Sequence, residues 1–369
     1  MHLVRVTERS GAGETGAMNS AGLFRRSLDA MFFTGASRAL APLFQGIGAI
    51  LTLHHVRPGG GLQPGFAPNR SLEITPDYLD AIIGYIRARG YDIVSLEAAA
   101  AIVRSGQKRR KPFIVFTVDD GYRDVFIHAW PIFRRHQCPF TLFVAPAIAE
   151  GTCELWWTGL EALIAGSSHL VVSFPDTTVE CTTVTDAQKR AAWRKLYAPF
   201  RALDEAVQRR LIRDLCAEHG IDLGAICRAS AMGWGELRTI AKDPLCAIGA
   251  HTVHHYALAK LSSEDALREV VASLEAIERE LGERPRLFSY PYGDRRSASV
   301  REFEIVRRAG IEAAVTARRG LIFPAHARAL TALPRVSISG HYQQLRYLEV
   351  LLSGTAYAVW NGFRRVQAA

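Results

Sequence analysis

The sequence lacks the cysteine pattern of a zinc module or a disulfide framework. Its six cysteines, Cys138, Cys153, Cys181, Cys216, Cys227 and Cys246, form no Cys-x-x-Cys pair and no regular spacing. A chain of 369 residues is also too large to depend on disulfides, so a reducing compartment suits these thiols. No apolar run reaches the roughly 20 residues that cross a bilayer. The best candidate, 39–53, is interrupted by Pro42, Gln45, Gly46 and Gly48. A basic start followed by a cleavage site is also missing, which makes the cytoplasm the expected location. Internal repeats and low-complexity blocks are absent, as is the aromatic-basic platform that would argue for nucleic acid.

The charge of +9 and pI near 9.4 favour anionic partners. The basic residues are scattered, however, and the tightest run, 108–111, reads as a solvated loop. No nucleic-acid partner is expected. Peripheral contact of amphipathic ends with the inner membrane face is compatible with the charge. Oligomeric state is not legible.

What is present is enough for a large core, at 49% hydrophobic and 22% charged residues. Apolar runs suited to buried parallel strands occur at 49–53, 113–118, 140–144, 247–250, 287–290 and 313–316. They alternate with segments of helical spacing such as 78–89 and 263–281. Helix starts are marked by Thr75-Pro76-Asp77 and by Ser263 before acidic residues. Alternation of this kind builds a parallel sheet or barrel. Between 151 and 232 the rhythm gives way to Trp-rich, Thr-rich and then charged helical sequence, which reads as a mainly helical insertion. The expected division is a tail and helix at 1–47, a barrel at 48–340 with that insertion, and a C-terminal amphipathic helix at 341–369. Its apolar face would comprise Tyr347, Leu348, Leu351, Tyr357 and Trp360.

Three motifs stand where strands end. The first, Thr117-Val118-Asp119-Asp120-Gly121, sets two acids side by side, costly unless a cation or shared proton offsets their repulsion. The bland alternative is a solvent-facing turn capping the next helix. The second, His251-Thr252-Val253-His254-His255, spaces two histidines four apart, so both would face one cation if the strand turned directly into helix. With one carboxylate they form a donor set that leaves a coordination position for water. The third, Tyr290-Pro291-Tyr292-Gly293, is a turn by composition that offers backbone N–H groups and an aromatic wall.

In this order the motifs resemble the polysaccharide deacetylase, or NodB-homology, family. The resemblance covers roughly 48–340 and implies a distorted (β/α) barrel that hydrolyses the N-acetyl amide of N-acetylglucosamine units, as in a chitooligosaccharide deacetylase. It implies Asp119 as catalytic base and Asp120, His251 and His255 as ligands of a divalent metal, zinc first, with cobalt, nickel or iron as alternatives. The implied partner is an acetylated oligo- or polysaccharide. Two family features are missing: the arginine usual where Ser289 stands, and a C-terminal Leu-x-His that supplies the general acid. Arg335 is the candidate replacement for the first. For the second, 51–56 resembles the first-strand His element of a subgroup and nominates His54, with His55 as its neighbour. The segment Leu155-Trp156-Trp157 with Glu161 resembles that subgroup's aromatic segment, in which Trp156 or Trp157 would either stack on a sugar ring or pack in the core, and Trp157 joins Pro291 and Tyr292 as a substrate-facing candidate, the Tyr292 N–H facing the oxyanion. Rival readings are an O-deacetylase or related C–N hydrolase on the same centre, or a catalytically weak glycan-binding protein.

Overall fold

The computed structural model describes residues 16–106 and 110–363. Half of the basic run expected at 108–111, Lys108 and Arg109, thus lies outside the described residues. Seven parallel strands close into a barrel: β1 (Gly48–Leu53), β2 (Phe113–Val118), β3 (Phe140–Val144), β4 (Cys246–Ala250), β5 (Leu287–Ser289), β6 (Ala313–Arg319) and β7 (Leu333–Ser337). Each pairs with the next, and β7 pairs back to β1 through Leu51 and Val336, so the ring has no free edge. A two-residue strand, Asp92–Ile93, pairs with the start of β2 before β3 joins at Phe116.

Every residue of β1, β2 and β3 is buried, which is why these strands read as unbroken apolar runs rather than alternating ones. One cluster, with Ile50, Phe113, Val115, Phe143, Leu287 and Val315, fills the interior, and Leu96, Ala99 and Val103 of helix Leu96–Ser105 pack against it. The alternate residues Leu51, Phe116, Leu142 and Val144 face outward into a second cluster with the surrounding helices. Two glycines make room for the interior phenylalanines. A Cβ on Gly48 would lie 2.6 Å from the Phe113 ring, and one on Gly249 would lie 2.4 Å from that of Phe143.

The seventh strand escaped the sequence pattern because Pro334, which cannot donate to a ladder, and Arg335 interrupt its apolar run. The β6–β7 pairing shifts register between Val315 and Arg319, and this irregularity accommodates the proline. Helix starts differ little from expectation. Thr75 caps Pro76–Ala88 by accepting from the Tyr78 N–H, while Ser262, not Ser263, caps Ser263–Leu281.

The insertion contains helices Trp156–Gly166, Asp186–Ala202, Glu205–Glu218 and Leu223–Ser230 around their own apolar cluster. Its Thr-rich stretch is an antiparallel hairpin, His169–Ser173 with Thr178–Thr182. At the chain ends, two helices replace each of the single ones expected: Gly16–Phe33 with Ala36–Phe44, and Leu345–Leu352 with Thr355–Trp360. The latter pair breaks at Gly354, whose φ of 76° suits glycine and whose Cβ would strike the Phe44 carbonyl. The end of the C-terminal stretch expected at 341–369 lies outside the described residues. Leu28 joins Tyr347 and Leu348 in the outer cluster, and Arg346 pairs with Asp29, so the two ends of the chain pack together. All six cysteines are buried and free. Among the described residues no helix is long and apolar enough to cross a membrane.

Gly249→Ala should destabilise the fold by about 1–3 kcal/mol, the usual cost of overpacking a filled interior. Urea denaturation checks this, and Gly249→Ala combined with Phe143→Leu should recover part of the loss. An unchanged midpoint in the single variant would contradict the packing argument.

Candidate metal centre and active site

All three motifs meet at the barrel mouth formed by the C-terminal ends of the strands, where parallel barrels place their chemistry. The cavity there has a volume of about 300 Å³, and Asp119, Asp120, His251, His255, His54 and Arg335 all line it.

Asp120, His251 and His255 are each at most 5% exposed. One Asp120 oxygen, Oδ1, lies 3.3 Å from Nε2 of both histidines, and the three ligand atoms fall within 4.8 Å of one another. His251 Nδ1 is 2.6 Å from the Ser289 carbonyl oxygen. That contact makes Nδ1 the donor and leaves the Nε2 lone pair for a ligand. Asp120 Oδ1 has no hydrogen-bond partner among the described residues. Buried lone pairs converging on one point repel unless a cation lies between them, so this donor set fits a divalent metal with an open coordination position. Burial would raise the Asp120 carboxyl, but the two imidazoles hold it well below its ordinary value. Burial dominates at His255, which falls to about 4.

The histidines do not meet by the route expected from their spacing. Residues 251–257 form no helix, and both Thr252 (φ 58°) and His255 (φ 57°) adopt left-handed backbone. An irregular loop brings the imidazoles together, and the insertion holds that loop. Arg209, 2% exposed, donates to the carbonyls of His254 and His255 at 3.4 Å each, while Glu205 accepts the Ala257 N–H at 3.0 Å. Arg209 and Glu205 are themselves paired at 3.6 Å. Neither was visible in the sequence, where they look like one more i,i+4 pair on a charged helix.

Asp119 points to a different partner. Arg335 grips it bidentately, at 2.8 Å and 2.6 Å, and also donates to Ser289 Oγ, Thr117 Oγ1 and the Thr316 carbonyl. The charge missing at position 289 therefore arrives from β7 across the barrel. Burial would raise Asp119, but the guanidinium outweighs it and leaves the carboxyl below its usual value. His54 Nε2 is 3.9 Å from Asp119 Oδ2. Burial lowers the His54 pKa even though both carboxylates oppose it. His55 turns away, contacting Asp124 at 2.6 Å and stacking on Tyr122.

The turns that present these groups are strained alike. Gly121 N–H donates to Asp119 O with Asp120 at φ 72°, and Gly293 N–H donates to Pro291 O with Tyr292 at φ 62°. Both are i,i+2 turns with a non-glycine residue at positive φ, a conformation that survives only where its surroundings enforce it. Gly293 itself is irreplaceable, since a Cβ would lie 2.2 Å from Ala317 N. Tyr292 lines the cavity, whereas Pro291 is buried outside it and only shapes the turn. Trp157 also lines the cavity, beside His255, while Trp156 lies behind and donates to the Tyr292 hydroxyl at 2.8 Å. The insertion adds two lining residues that carried no sequence signal, Tyr197 and Arg201, the latter 3.8 Å above the Tyr292 ring.

Residues 106–314, more than half of the chain, match the polysaccharide deacetylase family. Poly-beta-1,6-N-acetyl-D-glucosamine N-deacetylase of Escherichia coli K12 is 22% identical over 277 residues, 74% of this chain and 35% of that protein. The chain thus spans about a third of the length of the curated relatives it matches. Similar solved structures are the Streptococcus pyogenes deacetylase PplD in complex with acetate (15% identity, TM-score 0.54, 82% of this chain and 97% of that one) and IcaB from Ammonifex degensii (18%, 0.51, 84% and 98%). At these identities the likeness establishes the shared barrel fold.

Arg335→Met leaves a buried carboxylate without its partner, which costs about 3–5 kcal/mol. Because Arg335 depresses the Asp119 pKa, the stabilisation is complete above the unfolded value near 3.9 and is lost as pH falls through the folded value. The difference in unfolding free energy between wild type and Arg335→Met, measured in urea without metal, should be largest near neutrality and shrink in acid. A difference independent of pH would mean that the pair does not hold Asp119 ionised.

Proposed function

Because the chain belongs to the polysaccharide deacetylase family, we propose that it hydrolyses the N-acetyl amide of an N-acetylglucosamine-type oligo- or polysaccharide, releasing acetate. One observation carries the reading. A carboxylate clamped by a buried arginine, Asp119, stands next to a carboxylate that faces two histidines, Asp120, on the floor of a single cavity. Adjacent acids with such different partners are suited to different tasks, one as base and one as ligand.

Asp120, His251 and His255 would hold the metal, with zinc favoured by the donor set. When bound, such an ion polarises an acyl oxygen and acidifies a water molecule. Asp119, ionised and fixed by Arg335, takes a proton from the water that attacks the acetyl carbon. The Tyr292 backbone N–H donates to the developing oxyanion. His54 is neutral near pH 7 by the direction of its shift, so it acts as acid only after receiving a proton during the cycle. Asp119, 3.9 Å away, is the source of that proton, having taken it from the attacking water. The proton passes to the amide nitrogen as its bond to carbon breaks, giving acetate and a free amine.

Chelator-treated protein should lose acetate release from N-acetylglucosamine oligomers and regain it with Zn²⁺ or Co²⁺. Full activity without metal would exclude the proposal, and a preference for O-acetyl sugars would transfer it to ester hydrolysis. In the same assay Asp119→Asn should lower kcat by about 10²–10⁴-fold while retaining metal, whereas His255→Ala should lose metal. If Asp119→Asn also empties the site, the division between base and ligand is wrong.

A further inference from the structure

A second cavity opens beside the first. It shares Leu72 and Ser337 with the rim of the catalytic cavity and has a volume of about 690 Å³. The two ends of the chain build its far wall: Phe24 comes from the first helix and Trp360 from the last. Tyr342 and Arg319 complete that wall. The Trp360 and Phe24 ring centroids are 4.0 Å apart, those of Phe24 and Tyr342 are 5.2 Å apart, and the exposed Arg319 guanidinium lies 5.4 Å from the Trp360 ring. Trp360 and Tyr342 remain partly exposed.

We propose that this groove is a binding site for further sugar residues of the glycan whose acetylated unit occupies the catalytic cavity. The inference rests on the glycan substrate proposed above. Leu72 and Ser337 border both cavities, so a polymer that extends from the catalytic cavity over these two residues reaches the groove. The lining has the mixed chemistry of a pyranose. The partly exposed Trp360 and Tyr342 offer aromatic surface to its C–H groups, while Ser339, Ser71 and Arg319 supply hydrogen-bonding groups to its hydroxyl rim. The groove, at about 690 Å³ against about 300 Å³, has room for sugar units beyond the one in the catalytic cavity. The terminal helices thereby select chain length, which gives the aromatic residue at the end of the C-terminal amphipathic stretch a role besides packing.

The test is calorimetric titration of the full chain with the dimer and the hexamer of N-acetylglucosamine. Wild type should bind the hexamer at least about tenfold more tightly than the dimer. Trp360→Ala should lower this ratio toward one, by up to about tenfold for the loss of one stacking face, and Trp360→Phe should restore most of it. Circular dichroism melts establish that each variant is folded, and Arg319→Ala, an exposed position, provides a second probe should Trp360→Ala unfold. Equal dimer and hexamer affinities in wild type, or an unchanged ratio in both folded variants, would overturn the proposal. Because the readout is binding, absence of acetate release with a Trp360-dependent ratio would refute the hydrolytic reading alone, and acetate release with no such ratio would refute the groove alone.

Discussion

Two neighbouring carboxylates are buried at one barrel mouth, and the rest of the site is arranged to make that tolerable. Desolvation penalises both Asp119 and Asp120, so each needs its own compensating charge. Arg335 supplies one with a planar fork that matches a carboxylate, itself fixed by Thr117, Ser289 and Thr316. The other carboxylate faces two imidazoles whose lone pairs call for a cation. The two acids thus differ in their charge environment, and the difference follows from which partner each one meets.

Holding those partners in register requires a backbone that local preference would not choose. Asp120, Thr252, His255 and Tyr292 all carry positive φ at this one mouth. Such conformations cost of order 1–3 kcal/mol each and persist because the surroundings over-determine them. Closure of the barrel fixes Asp120 and Tyr292 at strand ends. The His255 loop leaves its strand without a helix to organise it, and the insertion does that work through Arg209 and Glu205. A segment that looks peripheral along the chain therefore supports the histidine loop and also lines the cavity with Trp157, Tyr197 and Arg201.

The chain ends have a comparable relation to the mouth. Helices separated by most of the sequence pack against each other through Leu28, Tyr347 and Leu348, and their aromatic side chains border the groove adjoining the catalytic cavity. The site is composite in this sense: barrel strands provide chemistry, the insertion provides rigidity, and the termini provide surface next to it.

Strands buried on both faces leave a continuous apolar run in the sequence, so six of the seven were legible, and the acids and histidines that follow them marked the mouth. That Asp120, His251 and His255 lie at one mouth was legible for the same reason, although the helical turn expected to join the histidines was replaced by an irregular loop. The β7 strand was hidden by Pro334, because a register shift specific to the closed barrel makes room for it. Residue order by itself determined the barrel rhythm, the acid pair and the histidine pair, each of which depends on neighbours within a few positions. Only the tertiary structure decided that Arg335 completes Asp119 from 216 positions away, that His54 rather than His55 faces it, and that the insertion grips the histidine loop. A charge carries no local mark of its distant partner, and ring closure of the strands is what brings the two into contact.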